Sequence, residues 1–144
     1  MLSAELITAL QDIFPPERFY SDPTDCYAYA YDNSRKIFPP DAVVFPLTSK
    51  EVQRTITLCN YHQVPLIPRG RGTGTAGGSL PEQGGIALSM ERMLNIISVD
   101  PANRVIVTEP GVLNQSVQDA AKPHGFFGHL ILLVPHSRLL VEIL

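Results

Sequence analysis

What this chain can fold into is constrained most by one run, Pro68-Arg69-Gly70-Arg71-Gly72-Thr73-Gly74-Thr75-Ala76-Gly77-Gly78. It lies between two apolar stretches, VPLIP at 64–68 and GIALS at 85–89. Glycine takes positive φ freely and lets the backbone approach a ligand with no Cβ in the way. Successive N–H groups in such a run can converge into a nest for an anion. Thr73 and Thr75 add hydroxyl donors. Each hydrogen bond to a charged phosphate oxygen contributes on the order of 1.5–3 kcal/mol. The run reads as a backbone cradle for the diphosphate of a dinucleotide. Arg69, which abuts the first glycine, is read as a phosphate partner. For Arg71 a phosphate contact and a solvated loop arginine are equal readings.

Three other readings compete. A flexible linker is polar on both sides, whereas this run sits between apolar strands. A phosphate-binding P-loop needs Gly-Lys-Ser/Thr opening a helix, and the run has no lysine. Gly72-Thr73-Gly74-Thr75-Ala76-Gly77 does match the G-x-G-x-x-G of NAD-binding folds, but that fingerprint must open a helix. The residues that follow include Pro81 and the pair Gly84-Gly85, which leave no room for one.

The surroundings read as a small α/β layer. Ser3 is placed to cap a short helix with an apolar face of Leu6, Ile7 and Leu10, which Pro15 and Pro16 end. Residues 20–40 read as loop, with one helical turn near 25–29. DAVVFP at 41–46 is a strand, and Thr48 with Glu51 forms a capping box for a helix to about His62, with Val52, Ile56 and Cys59 on one face. Residues 64–68 form the next strand, which fits a right-handed parallel crossover. Residues 85–89, 96–99 and 105–108 are further strands, the last two joined by the turn Asp100-Pro101-Ala102-Asn103. Residues 112–121 read as a helix.

Bulk properties exclude several classes. With 144 residues, 44% hydrophobic and 17% charged, a globular core is expected rather than disorder. A net charge of −3 leaves no electrostatic footprint for nucleic acid. The start lacks the basic region of a signal peptide, and no apolar run reaches the ~20 residues of a membrane span. Cys26 and Cys59 are far apart and read as buried reduced thiols, so a cytoplasmic protein is expected. His62, His124, His129 and His136 show no metal-ligand spacing.

The pattern Pro68-Arg69-Gly70-x-Gly72-Thr73-x-x-x-Gly77-Gly78, following a strand–helix unit, resembles the first FAD-binding segment of FAD-linked oxidases with a vanillyl-alcohol-oxidase-type (PCMH-type) flavin domain. Within these it is most similar to the branch of D-lactate dehydrogenases and glycolate oxidase flavin subunits. Pro46-Leu47-Thr48 with Glu51-Val52, Met90-Glu91-Arg92-Met93 leading to Ile96, and Glu109-Pro110-Gly111-Val112 support it. The resemblance implies an α+β fold: the first α/β lobe of a PCMH-type domain, a small parallel sheet with helices, and the start of a second lobe. It implies that Pro68, Arg69, Gly70, Arg71, Gly72, Thr73, Gly74, Thr75, Gly77 and Gly78 wrap the FAD diphosphate. It also implies that Pro110 and Gly111 lie near the cofactor, where an ordinary turn before a helix is the competing reading. Some relatives attach FAD covalently through a histidine in this loop. Thr73 and Thr75 occupy that region here, so noncovalent FAD is expected. Intact relatives oxidise a small 2-hydroxy acid, D-lactate or glycolate, by hydride transfer to the flavin, some with further oxidase subunits as partners. Their catalytic base and substrate arginines lie in a C-terminal domain, so no residue here is expected to be catalytic. The domain reading is residues 1–40 as an N-terminal helix and loop, 41–127 as a partial FAD-binding domain and 128–144 as an atypical tail.

The tail departs from the family, which continues with a Pro-Asp-Pro stretch and a Gly-Gly-Asn. Read one nucleotide late, TGG-CCA-CCT-GAT-CCT (Trp-Pro-Pro-Asp-Pro) gives Gly-His-Leu-Ile-Leu, the residues at 128–132. Suitable synonymous codons continue the match to Glu142-Ile143-Leu144. The expectation is an out-of-frame translation, the alternative a genuine C-terminal strand or helix. DNA beyond the Phe127 codon should encode a family-like continuation in the neighbouring frame, and its absence there would refute the expectation. Three functions follow: an FAD-binding portion of a 2-hydroxy-acid dehydrogenase that is inactive alone, a noncatalytic nucleotide-binding or subunit-interaction module, and a disfavoured NAD domain.

Overall fold

The computed structural model describes residues 2–126 and 140–142. They belong to two units, Met1–Arg92 and Met93–Leu144. In the first, the Ser3 hydroxyl accepts the Leu6 N–H at 3.2 Å and starts α1 (Ala4–Gln11). That cap satisfies one of the donors a helix start leaves unpaired. Leu6 and Leu10, one turn apart, are wholly buried. The chain then forms β1 (Phe19–Tyr20), a strand too short to show as periodicity, and α2 (Pro23–Tyr27), whose first turn is capped by Asp22.

β2 (Ala42–Val44), α3 (Ser49–Tyr61), β3 (Leu66–Arg69) and β4 (Ile86–Ser89) follow. The sheet order is β1-β2-β4-β3. β2 and β3 run parallel to β4, which lies between them, and β1 pairs antiparallel with β2. Every residue of β2 and β4 is buried, the continuous apolar pattern of strands covered on both faces. Pro68, which has no N–H for a ladder, falls in the edge strand β3, where proline is tolerated. The stretch before residue 41 is continuous with this unit, since β1 joins its sheet and Leu6, Leu10 and Phe14 join its core.

α3 differs from expectation in the face it buries. Ile56 is 50% exposed, and Thr55 and Cys59 take the core positions, with Val52 and Leu58 partly packed. A hydroxyl is tolerated there because Thr55 Oγ1 donates to the Glu51 carbonyl at 2.8 Å. Cys26 and Cys59 are buried and unpaired, and burial pushes both thiols up to about 11.

The capping box at α3 is half as expected. Thr48 accepts the Glu51 N–H at 3.2 Å, while Glu51 Oε2 accepts the Leu47 N–H at 2.7 Å and pairs with Arg18 at 2.8 Å. Burial would raise the Glu51 carboxyl, but the Arg18 guanidinium and the Leu47 N–H outweigh it and hold the group below its ordinary value of 4.5. The folded chain therefore binds this proton less tightly than the unfolded chain. The pair stabilises the fold above the ordinary carboxylate value and stops doing so as pH falls through the lower folded value. Glu51→Gln is expected to cost about 1–2 kcal/mol at pH 7, discounted for partial exposure. In urea titrations below pH 4.5 the cost should shrink as the wild-type carboxyl is protonated. A pH-independent cost would contradict this.

The second unit opens with a hairpin of β5 (Ile96–Asp100) and β6 (Val105–Thr108). Asp100 closes the expected turn by accepting from Asn103 N at 3.1 Å and Asn103 Nδ2 at 2.7 Å. α4 (Asn114–Ala121) starts two residues later than expected because Glu109–Val112 is a turn, its Val112 N–H bonded to the Glu109 carbonyl at 3.2 Å. Val117 and Ala121 pack with Ile106. A single 3₁₀ turn over Lys122–His124 follows. β7 (Leu140–Glu142) pairs antiparallel with β6. The remainder of the tail expected to be out of frame, with His129 and His136, lies outside the described residues. Among the described residues no helix is long and apolar enough to cross a membrane, and no group of three or more His, Cys, Asp or Glu could hold a metal ion.

Candidate functional site

The glycine run leaves the end of edge strand β3 and reaches β4 with no helix in between. The G-x-G-x-x-G at 72–77 thus lacks the helix N-terminus that holds the pyrophosphate in NAD-binding folds. Pro68 is exposed and Arg69 buried on β3, and Arg71 is exposed. Gly70, Gly72, Thr73, Gly74 and Gly77 are half-buried, while Thr75 and Gly78 are exposed.

The segment from Tyr29 to Lys36 braces this loop, a role that the sequence did not reveal. Asn33 N donates to the Gly74 carbonyl at 2.9 Å, and Asn33 Nδ2 donates to the Thr73 carbonyl at 3.1 Å. An anion nest works only if carbonyl dipoles are kept off the ligand. Asn33 engages two of them. Asp32 is buried beside it and accepts from Ser34 N at 2.7 Å and Ser79 Oγ at 3.3 Å. Burial would raise the Asp32 carboxyl, yet the Ser34 and Ser79 hydrogen bonds and the nearby Arg69 charge keep it below the ordinary carboxylate value. An exposed ion pair, Lys36 to Glu82 at 3.1 Å, adds little. The one sequence signal was the turn-forming trio Asp32-Asn33-Ser34.

Arg69 takes an unexpected place. Nη1 donates to the Tyr29 carbonyl at 2.7 Å and the Tyr31 carbonyl at 3.3 Å, and the guanidinium lies 5.3 Å from the centre of the Tyr29 ring. Tyr29 in turn donates its hydroxyl to Glu91 at 3.3 Å. Burial first, and the Glu91 charge second, push that phenol up to about 12. Gly72 has φ +66, and a Cβ there would overlap the Arg69 guanidinium.

Pro110 and Gly111 belong to the second unit. Gly111 is buried and donates to the Met93 carbonyl at 2.9 Å. The Glu109 carboxylate accepts from Asn95 N at 2.7 Å and Asn95 Nδ2 at 2.9 Å, which locks the turn.

A family model described as an FAD binding domain matches residues 40–135, a span that takes in the start of the tail. Glycolate oxidase subunit GlcD of Bacillus subtilis (strain 168) is 32% identical over 128 residues, covering 88% of this chain and 27% of its own length. D-lactate dehydrogenase of Archaeoglobus fulgidus is 36% identical over 124 residues, covering 83% of this chain and 26% of its own. The chain spans about a quarter of the length of these curated relatives. The crystal structure of p-cresol methylhydroxylase with substrate bound superposes with a TM-score of 0.72 at 23% identity, over 84% of this chain and 24% of that one. That likeness is one of fold: the expected mixed α/β architecture with a small parallel sheet is that of PCMH-type flavin domains. By the matched span and the glycine loop within it, this chain belongs to the FAD binding domain family.

Proposed function

We propose that these residues form one wall of a noncovalent FAD site in an oxidoreductase that acts on a small 2-hydroxy acid such as D-lactate or glycolate. The observation that carries the reading is the glycine loop with the Thr73 and Gly74 carbonyls taken up by Asn33. Gly70, Arg71, Gly72, Thr73, Gly74 and Thr75, with Gly77 and Gly78, hold the diphosphate, and Pro68 and Arg69 support them from β3. No histidine stands in the loop to take a covalent bond, which supports noncovalent attachment. Bound FAD supplies the two-electron acceptor for the oxidation; the chain's own contribution is binding and orientation. No side chain here is assigned to proton transfer. The substrate class follows the names of the two relatives, and one of them is called a subunit, which supports association with further oxidase subunits. Two buried, unpaired cysteines support a cytoplasmic setting.

The test is a titration of the chain with FAD, followed by flavin fluorescence. Saturable binding is expected with Kd of about 1 μM or weaker. NAD should not compete, acid precipitation should leave the flavin in solution, and neither D-lactate nor glycolate should bleach it. Absence of FAD binding would sink the proposal in favour of a noncatalytic interaction module. Flavin that stays with the precipitate would refute the noncovalent claim. Turnover would refute the statement that the chain is inactive alone.

A further inference from the structure

We infer that Arg69 is a positioning residue: it latches the glycine loop to the Tyr29–Tyr31 backbone before any ligand arrives, and it does not itself contact phosphate. The inference rests on the proposed FAD site only for its effect on affinity. Three observations carry it. First, Arg69 is 7% exposed, and its Nη1 is already committed to the carbonyls of Tyr29 and Tyr31. Second, Nε is sealed from solvent and has no hydrogen-bond partner, so a phosphate oxygen would have to open the loop to reach it. Third, the guanidinium fills the space that a Cβ at Gly72 would need. The residue types at 69 and 72 therefore depend on each other. A planar guanidinium whose Nη1 bonds two carbonyls while its face lies over the Tyr29 ring and its Nη2 fills the space beside Gly72 cannot be replaced by the single point charge of a lysine. Arg69 reaches the segment at Tyr29 and Tyr31, and Asn33 reaches back from that segment to Thr73 and Gly74. The loop is thereby tied at both its β3 end and its middle.

The latch and a direct phosphate contact differ in the unliganded chain. By ¹⁵N relaxation without FAD, the amides of residues 70–78 are expected to have order parameters near about 0.85 in the wild type and below about 0.6 in Arg69→Lys. The amides of β2 and β4 should not change. FAD affinity should fall about tenfold or more, because the bound loop conformation is no longer preorganised. Loop amides that stay rigid in Arg69→Lys would overturn the latch, whether or not affinity falls; a fall in affinity alone would make Arg69 a phosphate ligand. A second measurement needs no variant. The Arg69 Nε–H of the wild type should exchange slowly without FAD and keep its chemical shift as FAD is added. A fast-exchanging Nε–H, or one displaced by FAD, would overturn the latch even if Arg69→Lys failed to fold. If the wild type binds no FAD, the proposed function fails, while the relaxation and exchange data still decide the latch.

Discussion

Replacing Gly85 by alanine is expected to cost the first unit about 2–5 kcal/mol, enough to leave much of it unfolded. Gly85 has φ +98, and an added Cβ would overlap the carbonyl oxygen of Pro65. That oxygen is already in use: it accepts the Ile86 N–H at 2.9 Å, the bond that starts the β3–β4 pairing. Retreat in the other direction is closed as well. Gly85 N donates to Asp41 Oδ2 at 2.7 Å, and its carbonyl accepts the Asp41 N–H at 2.8 Å. The residue is thus pinned between the entry to β2 and the entry to β3. A side chain there must separate the central strand from one neighbour or the other. Thermal unfolding followed by circular dichroism is the direct check. A midpoint within about 4 °C of wild type would correspond to less than about 1 kcal/mol and would show that the strand entry can yield.

The second large effect is expected from Phe45→Ala, at about 3–5 kcal/mol. Phe45, the residue directly after β2, is wholly buried. Its ring lies edge-on to Tyr20 at 4.9 Å and Tyr29 at 5.4 Å between centroids, and the Arg92 guanidinium sits 4.6 Å from its centre. Truncation leaves a cavity and removes two aromatic contacts, each worth about 0.5–1.5 kcal/mol beyond the area buried. Because Tyr29 also presents the carbonyl that Arg69 grips, the loss should reach the glycine loop and weaken FAD binding more than Phe45→Leu does. Urea unfolding and FAD titration of the two variants measure both consequences. Equal affinity for FAD in both would uncouple the aromatic cluster from the loop.

The parts of this molecule that were legible in its sequence are those in which one residue type has one strong local use. Thr48 and Glu51 marked the start of α3, and Ser3 that of α1. The apolar runs at β2 and β4 marked buried parallel strands, and Asp100 with Asn103 marked a hairpin. Pro81 and the Gly84-Gly85 pair ruled out a helix after the glycine run. What stayed hidden depended on contacts between residues far apart in sequence. Residues 29–36 have no periodicity, so nothing local told that Asn33 would hold Thr73 and Gly74 forty residues on. The burial of Arg69 stayed hidden as well: beside the first glycine it read as a phosphate partner, and the carbonyls it bonds are announced by no side-chain pattern. Thr55 displaced Ile56 from the core because a hydroxyl bonded within its own helix is cheap to bury.

One consequence follows from the order β1-β2-β4-β3. Four aligned strands with both ends bare could template further strands, as in fibre growth. Here one end is a strand of two residues, Phe19–Tyr20, and the other carries Pro68, which offers a newcomer no N–H. The same proline that introduces the glycine loop thus also blunts the side of the sheet from which intermolecular stacking would start.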